Sequence, residues 1–235
     1  MSDASPGPSA REPGAATAER RRGLYKLLEG AAPYEYVQRA LGSRRAQQSL
    51  VERFVRFEGC RRVLDVGSGT SDLLQWLPDV EEYVGIEPNA DYVTRASEHY
   101  AGRGRFLQGV ASERMPDESG PFDLIMAMGV LHHMPDDEVR FFFAEARRLL
   151  AEGGMVLTVD PAYVPRQGRA SRALVSRDRG EHVRHVCAYS SIAREAFEDV
   201  TGHHTSRLLR IPYSHAVLVS RRAPEPLPSA APQPF

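Results

Sequence analysis

A short apolar run that ends in a glycine turn constrains this chain more than any other feature. Arg62-Val63-Leu64-Asp65-Val66 leads directly into Gly67-Ser68-Gly69-Thr70. Strands buried on both faces of a parallel sheet read as such near-continuous apolar runs. Glycines at the end of one let the backbone approach a ligand with no Cβ in the way. A second run, Tyr83-Val84-Gly85-Ile86, ends in Glu87, 22 positions after Asp65. In a doubly wound sheet an acid about 20 residues along reaches a ribose hydroxyl pair. A carboxylate suits that place because it accepts both protons of a cis-diol.

The remaining pattern extends this unit. Further short runs lie at 105–107, 122–127 and 155–159, with helical stretches between them. The clearest is 135–151, where Val139, Phe142, Phe143, Ala146, Leu149 and Leu150 recur at helical spacing. Pro135-Asp136-Asp137 starts this helix and Gly153-Gly154 is expected to stop it. Residues 20–58 read as helices, interrupted around Gly30–Pro33. Late in the chain, Arg207–Ile211 and Ala216–Ser220 are separated only by Pro212–His215, a connection short enough to demand antiparallel pairing. The expected fold is α/β: a doubly wound, mostly parallel seven-stranded sheet with an antiparallel last strand, N-terminal helices and a lid insert before the final hairpin. Residues 1–19 and 223–235 are Pro-rich and predicted to be disordered tails around a single domain over 20–222.

Composition removes several function classes. The 30 basic and 31 acidic residues leave a net charge of -1, which argues against nucleic acid and anionic membranes as partners. No stretch approaches about 20 apolar residues, so no membrane span is expected. Cys60 and Cys187 are too few for a disulfide framework and suggest a reducing, cytoplasmic setting. Lys26 is the only lysine and lies far from any glycine-rich loop, which disfavours pyridoxal chemistry and a P-loop.

The glycine turn separates two cofactor classes. A dinucleotide fold wants a third glycine where this chain has Asp72, a carboxylate that would repel pyrophosphate at the helix start. Asp65, ahead of the first glycine, suits a cationic aminoacyl ligand instead. Here the chain resembles the class I S-adenosylmethionine (SAM)-dependent methyltransferases. Val63–Thr70 is similar to that family's glycine motif, and Tyr83–Glu87 to its ribose-binding strand. Phe122-Asp123-Leu124-Ile125 with Val130-Leu131-His132-His133 resembles its fourth-strand motif, and Leu149–Leu157 the turn into its fifth strand. The four occur in order over 61–160.

The resemblance implies SAM as cofactor and assigns positions. Gly67, Ser68 and Gly69 would line its methionine moiety, with Asp65 near the ammonium and Glu87 on the ribose. Asn89 is a second polar contact, Val110 stands where the family often has an acid facing adenine, and Met128, Tyr36 and Gln38 would complete the enclosure. Asp123 reads as structural. His132, His133 and Tyr163 follow strands whose ends face the methyl group and are the catalytic candidates; a histidine can act as base. In the arginine-rich stretch 166–184, Arg179 is the choice for an anionic substrate group because Gly180 marks a tight turn. No metal is expected: Met126-Ala127-Met128-Gly129 supplies no acid, and His182, His185 and Cys187 lack a fourth ligand. The expected activity is metal-free methylation of an oxygen or nitrogen of a small molecule by a monomer or homodimer. The rivals are intramolecular cyclisation of SAM to azetidine-2-carboxylate with release of methylthioadenosine, and a non-catalytic SAM- or nucleic-acid-binding module.

Overall fold

The computed structural model describes residues 43–55, 60–113, 120–178 and 180–222. Both predicted tails, Tyr36, Gln38 and Arg179 lie outside the described residues. The elements are α1 (Ser43–Phe54), β1 (Arg62–Val66), β2 (Glu82–Glu87), α2 (Ala90–His99), β3 (Arg105–Gln108), β4 (Phe122–Met128), α3 (Asp136–Leu149), β5 (Leu150–Tyr163), α4 (Arg169–Val175), β6 (Arg184–His185), α5 (Val186–Ala193), β7 (Asp199–Thr205) and β8 (His215–Arg221). Short 3-10 turns at Asp72–Trp76 and Leu131–His133 follow β1 and β4.

The strand order is β3-β2-β1-β4-β5-β8-β7, and the two-residue β6 adds to the end of β5. The pairs up to β5 are parallel, whereas β8 runs antiparallel to both β5 and β7. The chain leaves β1 towards β2 and β3, then returns to place β4 on the other side of β1. That reversal makes the carboxyl ends of β1 and β4 the point where an open α/β sheet forms its ligand crevice. One sheet face packs Leu64, Val84, Ile125, Val156 and Leu218 against Phe142 and Phe143 of α3 and Ile192 of α5. The other packs Val63, Leu124, Leu157 and Val217 against Leu50 and Val51 of α1 and Leu73 and Leu74 of the first 3-10 turn. The period-2 alternation of the strands thus serves two cores, which is why the central strands are mostly apolar on both faces. In α3 the first turn carries Asp136, Asp137 and Glu138 and the last carries Arg147 and Arg148, each opposing the helix dipole.

Two expectations are corrected. The last hairpin does not use 207–211. Its first strand is Asp199–Thr205, paired from Asp199↔Arg221 to Thr205↔His215, and 206–214 forms the connection. The apolar residues of 207–211 misled because β7 is an edge strand, exposed over most of its length and held by backbone pairing. The helix before β5 ends at Leu149, not at the glycines. Leu150 already pairs with Phe122, and 151–154 loop out before Met155 pairs with Leu124. Gly153, at φ 75°, shapes that excursion rather than capping the helix. Asp123 fills the structural place expected of it, its Oδ2 accepting the Arg61 and Arg62 N–H groups at 2.8 Å each.

Candidate active site

The turn after β1 is built on backbone geometry. Gly67 and Gly69 hold φ of 72° and 55°, a left-handed region that favours glycine. The Gly67 and Ser68 N–H groups donate to the Ile86 carbonyl at 2.7 and 3.1 Å, which ties the turn to the neighbouring β2. A Cβ at Gly85 would lie 2.8 Å from the Ser68 hydroxyl, so a glycine in β2 is what admits Ser68. Glu87 then closes the cradle: Oε2 accepts from Gly69 N–H and Oε1 from Asn89 N–H, both at 2.9 Å. Burial raises the Glu87 pKa, and these two amides oppose that rise. Asp65 is buried and accepts the Tyr83 hydroxyl at 2.7 Å. Its carboxyl is pushed up to about 6 by burial, opposed by the Tyr83 hydrogen bond and helped by the Glu87 charge.

The turn after β4 carries the other half. His132 is 5% exposed, and both its ring nitrogens face carboxylates. Nδ1 stands 2.9 Å from Asp160 Oδ1 and Nε2 3.1 Å from Asp178 Oδ1. Burial disfavours the charge, but the two hydrogen-bonded carboxylates outweigh it and lift the pKa to about 9. Two acceptors on one ring require two N–H donors, hence an imidazolium. His133 stacks beside it with ring centroids 4.0 Å apart. Burial, followed by the His132 charge, lowers His133 to about 4, so it is neutral at physiological pH. Asp178 also accepts from the Gly180 N–H at 2.8 Å and from the Tyr213 hydroxyl. Burial alone would raise its carboxyl, yet His132 and these donors hold it well below the usual range.

The structure brings Asp65, Gly67, Ser68, Gly69, Glu87 and Asn89 into one cradle and His132 and His133 into one turn. Asn89 Oδ1 caps α2 by accepting the Asp91 N–H at 2.9 Å, which leaves its amide nitrogen for a ligand. Val110 follows β3 and Met128 ends β4, both half-buried. Tyr163 lies apart from the histidine pair in its contacts, with the His185 ring centroid at 5.8 Å and Arg172 at 5.4 Å over its face. With both nitrogens against carboxylates, the doubly protonated His132 ring holds no lone pair with which to take a proton. Sequence reasoning missed Asp160, Asp178, Tyr213 and Arg184. Arg184 belongs to the arginine-rich stretch but is structural. It donates to the Leu131, Met134 and His182 carbonyls at 3.0, 2.7 and 2.9 Å and pairs with Asp136. Among the described residues no group of three or more His, Cys, Asp or Glu side chains is arranged for a metal, and no helix is long and apolar enough to cross a membrane. A cavity of about 490 Å³ beside Val80, Tyr83 and Gly104 opens at the amino ends of β2 and β3, the wrong end of the sheet for this fold's ligands.

Comparison with known proteins finds a domain match and a shared fold. Residues 63–154 match the family described as a methyltransferase domain. An uncharacterized methyltransferase of Geobacillus kaustophilus is 31% identical over 121 residues, covering 51% of this chain and 56% of the relative. One from Anoxybacillus flavithermus is 29% identical over 123 residues, covering 50% and 55%. The chain therefore spans about half the length of the curated relatives it matches. Among solved structures, the mitomycin 7-O-methyltransferase aligns with a TM-score of 0.62 at 18% identity, over 84% of this chain and 60% of that one. The pyocyanin biosynthetic protein PhzM aligns with a TM-score of 0.65 at 15% identity, over 85% and 62%. At these identities the structures share the fold.

Proposed function

We propose that this chain, whose residues 63–154 match a methyltransferase domain, is a class I methyltransferase that transfers the methyl group of SAM to an oxygen or nitrogen atom of a small molecule, without a metal. The observation that carries this is the closure of Glu87 on the glycine turn. Its carboxylate is pinned by the Gly69 and Asn89 amides at the crevice where the strand order reverses. The residues fit the cofactor. Each Glu87 oxygen takes one amide and retains a lone pair for a ribose hydroxyl. Among the described residues, apart from its chain neighbours, no atom lies within 4 Å of a Cβ built on Gly69, leaving space beside the turn. Gly67, Ser68 and Gly69 would hold the methionine moiety, Asp65 its ammonium, Asn89 the ribose edge, and Val110 and Met128 the adenine side. When bound, SAM supplies a methyl group already activated on a sulfonium.

The chain's own residues then orient the acceptor and keep water away, which is the larger part of catalysis for such a displacement. His133 is neutral and presents an imidazole that accepts a hydrogen bond from the acceptor's O–H or N–H. A pKa near 4 makes it a weak proton sink, so its role is orientation more than proton removal. Tyr163 offers a hydroxyl, and Arg179 a cation for an anionic substrate group. A net charge of -1 and fold neighbours named for mitomycin and pyocyanin support a small molecule. The absence of acids in Gly129-Val130-Leu131 after β4 supports metal-free transfer. The test is calorimetric binding of S-adenosylhomocysteine, lost in Gly67→Val, followed by identification of the nucleoside formed from SAM with a panel of phenols and amines. S-adenosylhomocysteine with a methylated acceptor supports the reading. Methylthioadenosine from SAM alone overturns it in favour of cyclisation.

A further inference from the structure

Three segments distant in sequence meet on one imidazole. Asp160 comes from the end of β5, His132 from the turn after β4, and Asp178 from the stretch after α4. The contact extends beyond the two ion pairs. The His182 N–H donates to the His132 carbonyl at 2.9 Å. Gly180 packs closely against His132, and a Cβ there would stand 2.0 Å from His132 Cδ2 and 2.6 Å from its carbonyl oxygen. Asp178 is in turn held by Tyr213 from the connection between β7 and β8. We propose that His132 is a positioning residue, the bolt that fastens Asp178, Gly180 and His182 onto the turn at the end of β4.

Pairing with two carboxylates at once needs a donor on each nitrogen, so the bolt depends on the ring's proton. The titratable groups around it are Asp160 on β5, Asp178 and His182 after α4, His133 on its own turn and His215 on β8. Asp160 and Asp178 touch the ring and hold its charge up to about 9. His133 and His215, both lowered to about 4, add no positive charge at neutral pH. Fastening is therefore complete at neutral pH and weakens as the pH rises through about 9. The fastening stands independently of methyl transfer; its place on the acceptor side of the crevice rests on the reading above.

The test needs neither SAM nor an acceptor. Amide hydrogen exchange of Gly180 and His182 is followed from pH 6 to 10, corrected for intrinsic rates, with NMR titration of the His132 ring. The expected result is a ring titrating near 9 and amides protected at pH 7. Protection should fall on that same titration, by up to about 300-fold, the ratio that a shift from 6.5 to 9 represents. Asp178→Asn keeps an acceptor for Gly180 but removes one charge, so it should move both midpoints to lower pH. His132→Gln should expose the amides at every pH; should that variant fail to fold, Asp178→Asn decides. A ring titrating at 6–7, or Gly180 and His182 protection unchanged in Asp178→Asn, overturns the proposal. Loss of S-adenosylhomocysteine binding would count against the methyl-transfer reading alone.

Discussion

A Cβ on Gly67 would stand 2.4 Å from Cγ2 of Val130, so the Val130 side chain of the turn after β4 packs directly on the Gly67 backbone of the turn after β1. This contact sits where the strand order reverses, and it forces the residue at 67 to be glycine twice over, by space and by its φ of 72°.

Gly67→Ala should therefore abolish S-adenosylhomocysteine binding and lower stability by about 1–3 kcal/mol from backbone strain, with the overlap adding to it. Gly69→Ala has similar φ strain but open space around its Cβ, so it should cost only about 1 kcal/mol. Urea unfolding of both variants, with calorimetry, checks the contrast. Equal losses would show that the Val130 contact is unimportant.

Tyr83→Phe removes the hydroxyl that donates to Asp65. That hydrogen bond lowers the Asp65 pKa, so the variant's carboxyl should titrate above the present value of about 6. If the ionised carboxylate meets the cofactor's ammonium, S-adenosylhomocysteine affinity rises with pH through about 6 in the parent and through a higher pH in the variant. Calorimetry between pH 5 and 8 measures both midpoints, and coincident midpoints would contradict the assignment of Asp65.

Arg184→Lys should destabilise the protein by about 2 kcal/mol or more. The planar guanidinium bonds three carbonyls and Asp136 and stacks on Tyr189, and an ammonium cannot span that set. Chemical denaturation gives the number. A loss below about 0.5 kcal/mol, the range of neutral surface changes, would mark the side chain as dispensable.

The His132 ion pairs predict a pH-dependent stability. The folded pKa, about 9, exceeds the ordinary 6.5, so the stabilisation is fully present below about 6.5 and is lost as pH rises through about 9. The shift corresponds to about 3 kcal/mol. Urea unfolding at pH 6, 8 and 10 should show the decline in the parent and a flatter curve in His132→Gln. Parallel curves would show that the histidine does not carry the effect.

Local pattern was sufficient for the strand–glycine turn–acid unit and for α3. A buried parallel strand must be apolar, a tight turn at its end needs glycine, and a helix against a core repeats every three to four residues. Those signals lie within one element or in the fixed spacing between two neighbouring strands, so Asp65, Gly67 and Glu87 could be named from the residues themselves. β7 could not. Asp199–Thr205 is polar and exposed, and it is a strand only because β8 offers it a backbone to pair with. The character of His132 was equally invisible. Its neighbour Asp160 is 28 residues away and Asp178 further still, and a histidine's protonation follows whichever charges the fold carries to its two nitrogens. Periodicity and turn chemistry are short-range properties of a chain. Edge pairing and electrostatics are properties of the packed molecule, where residues remote in sequence share one low-dielectric site.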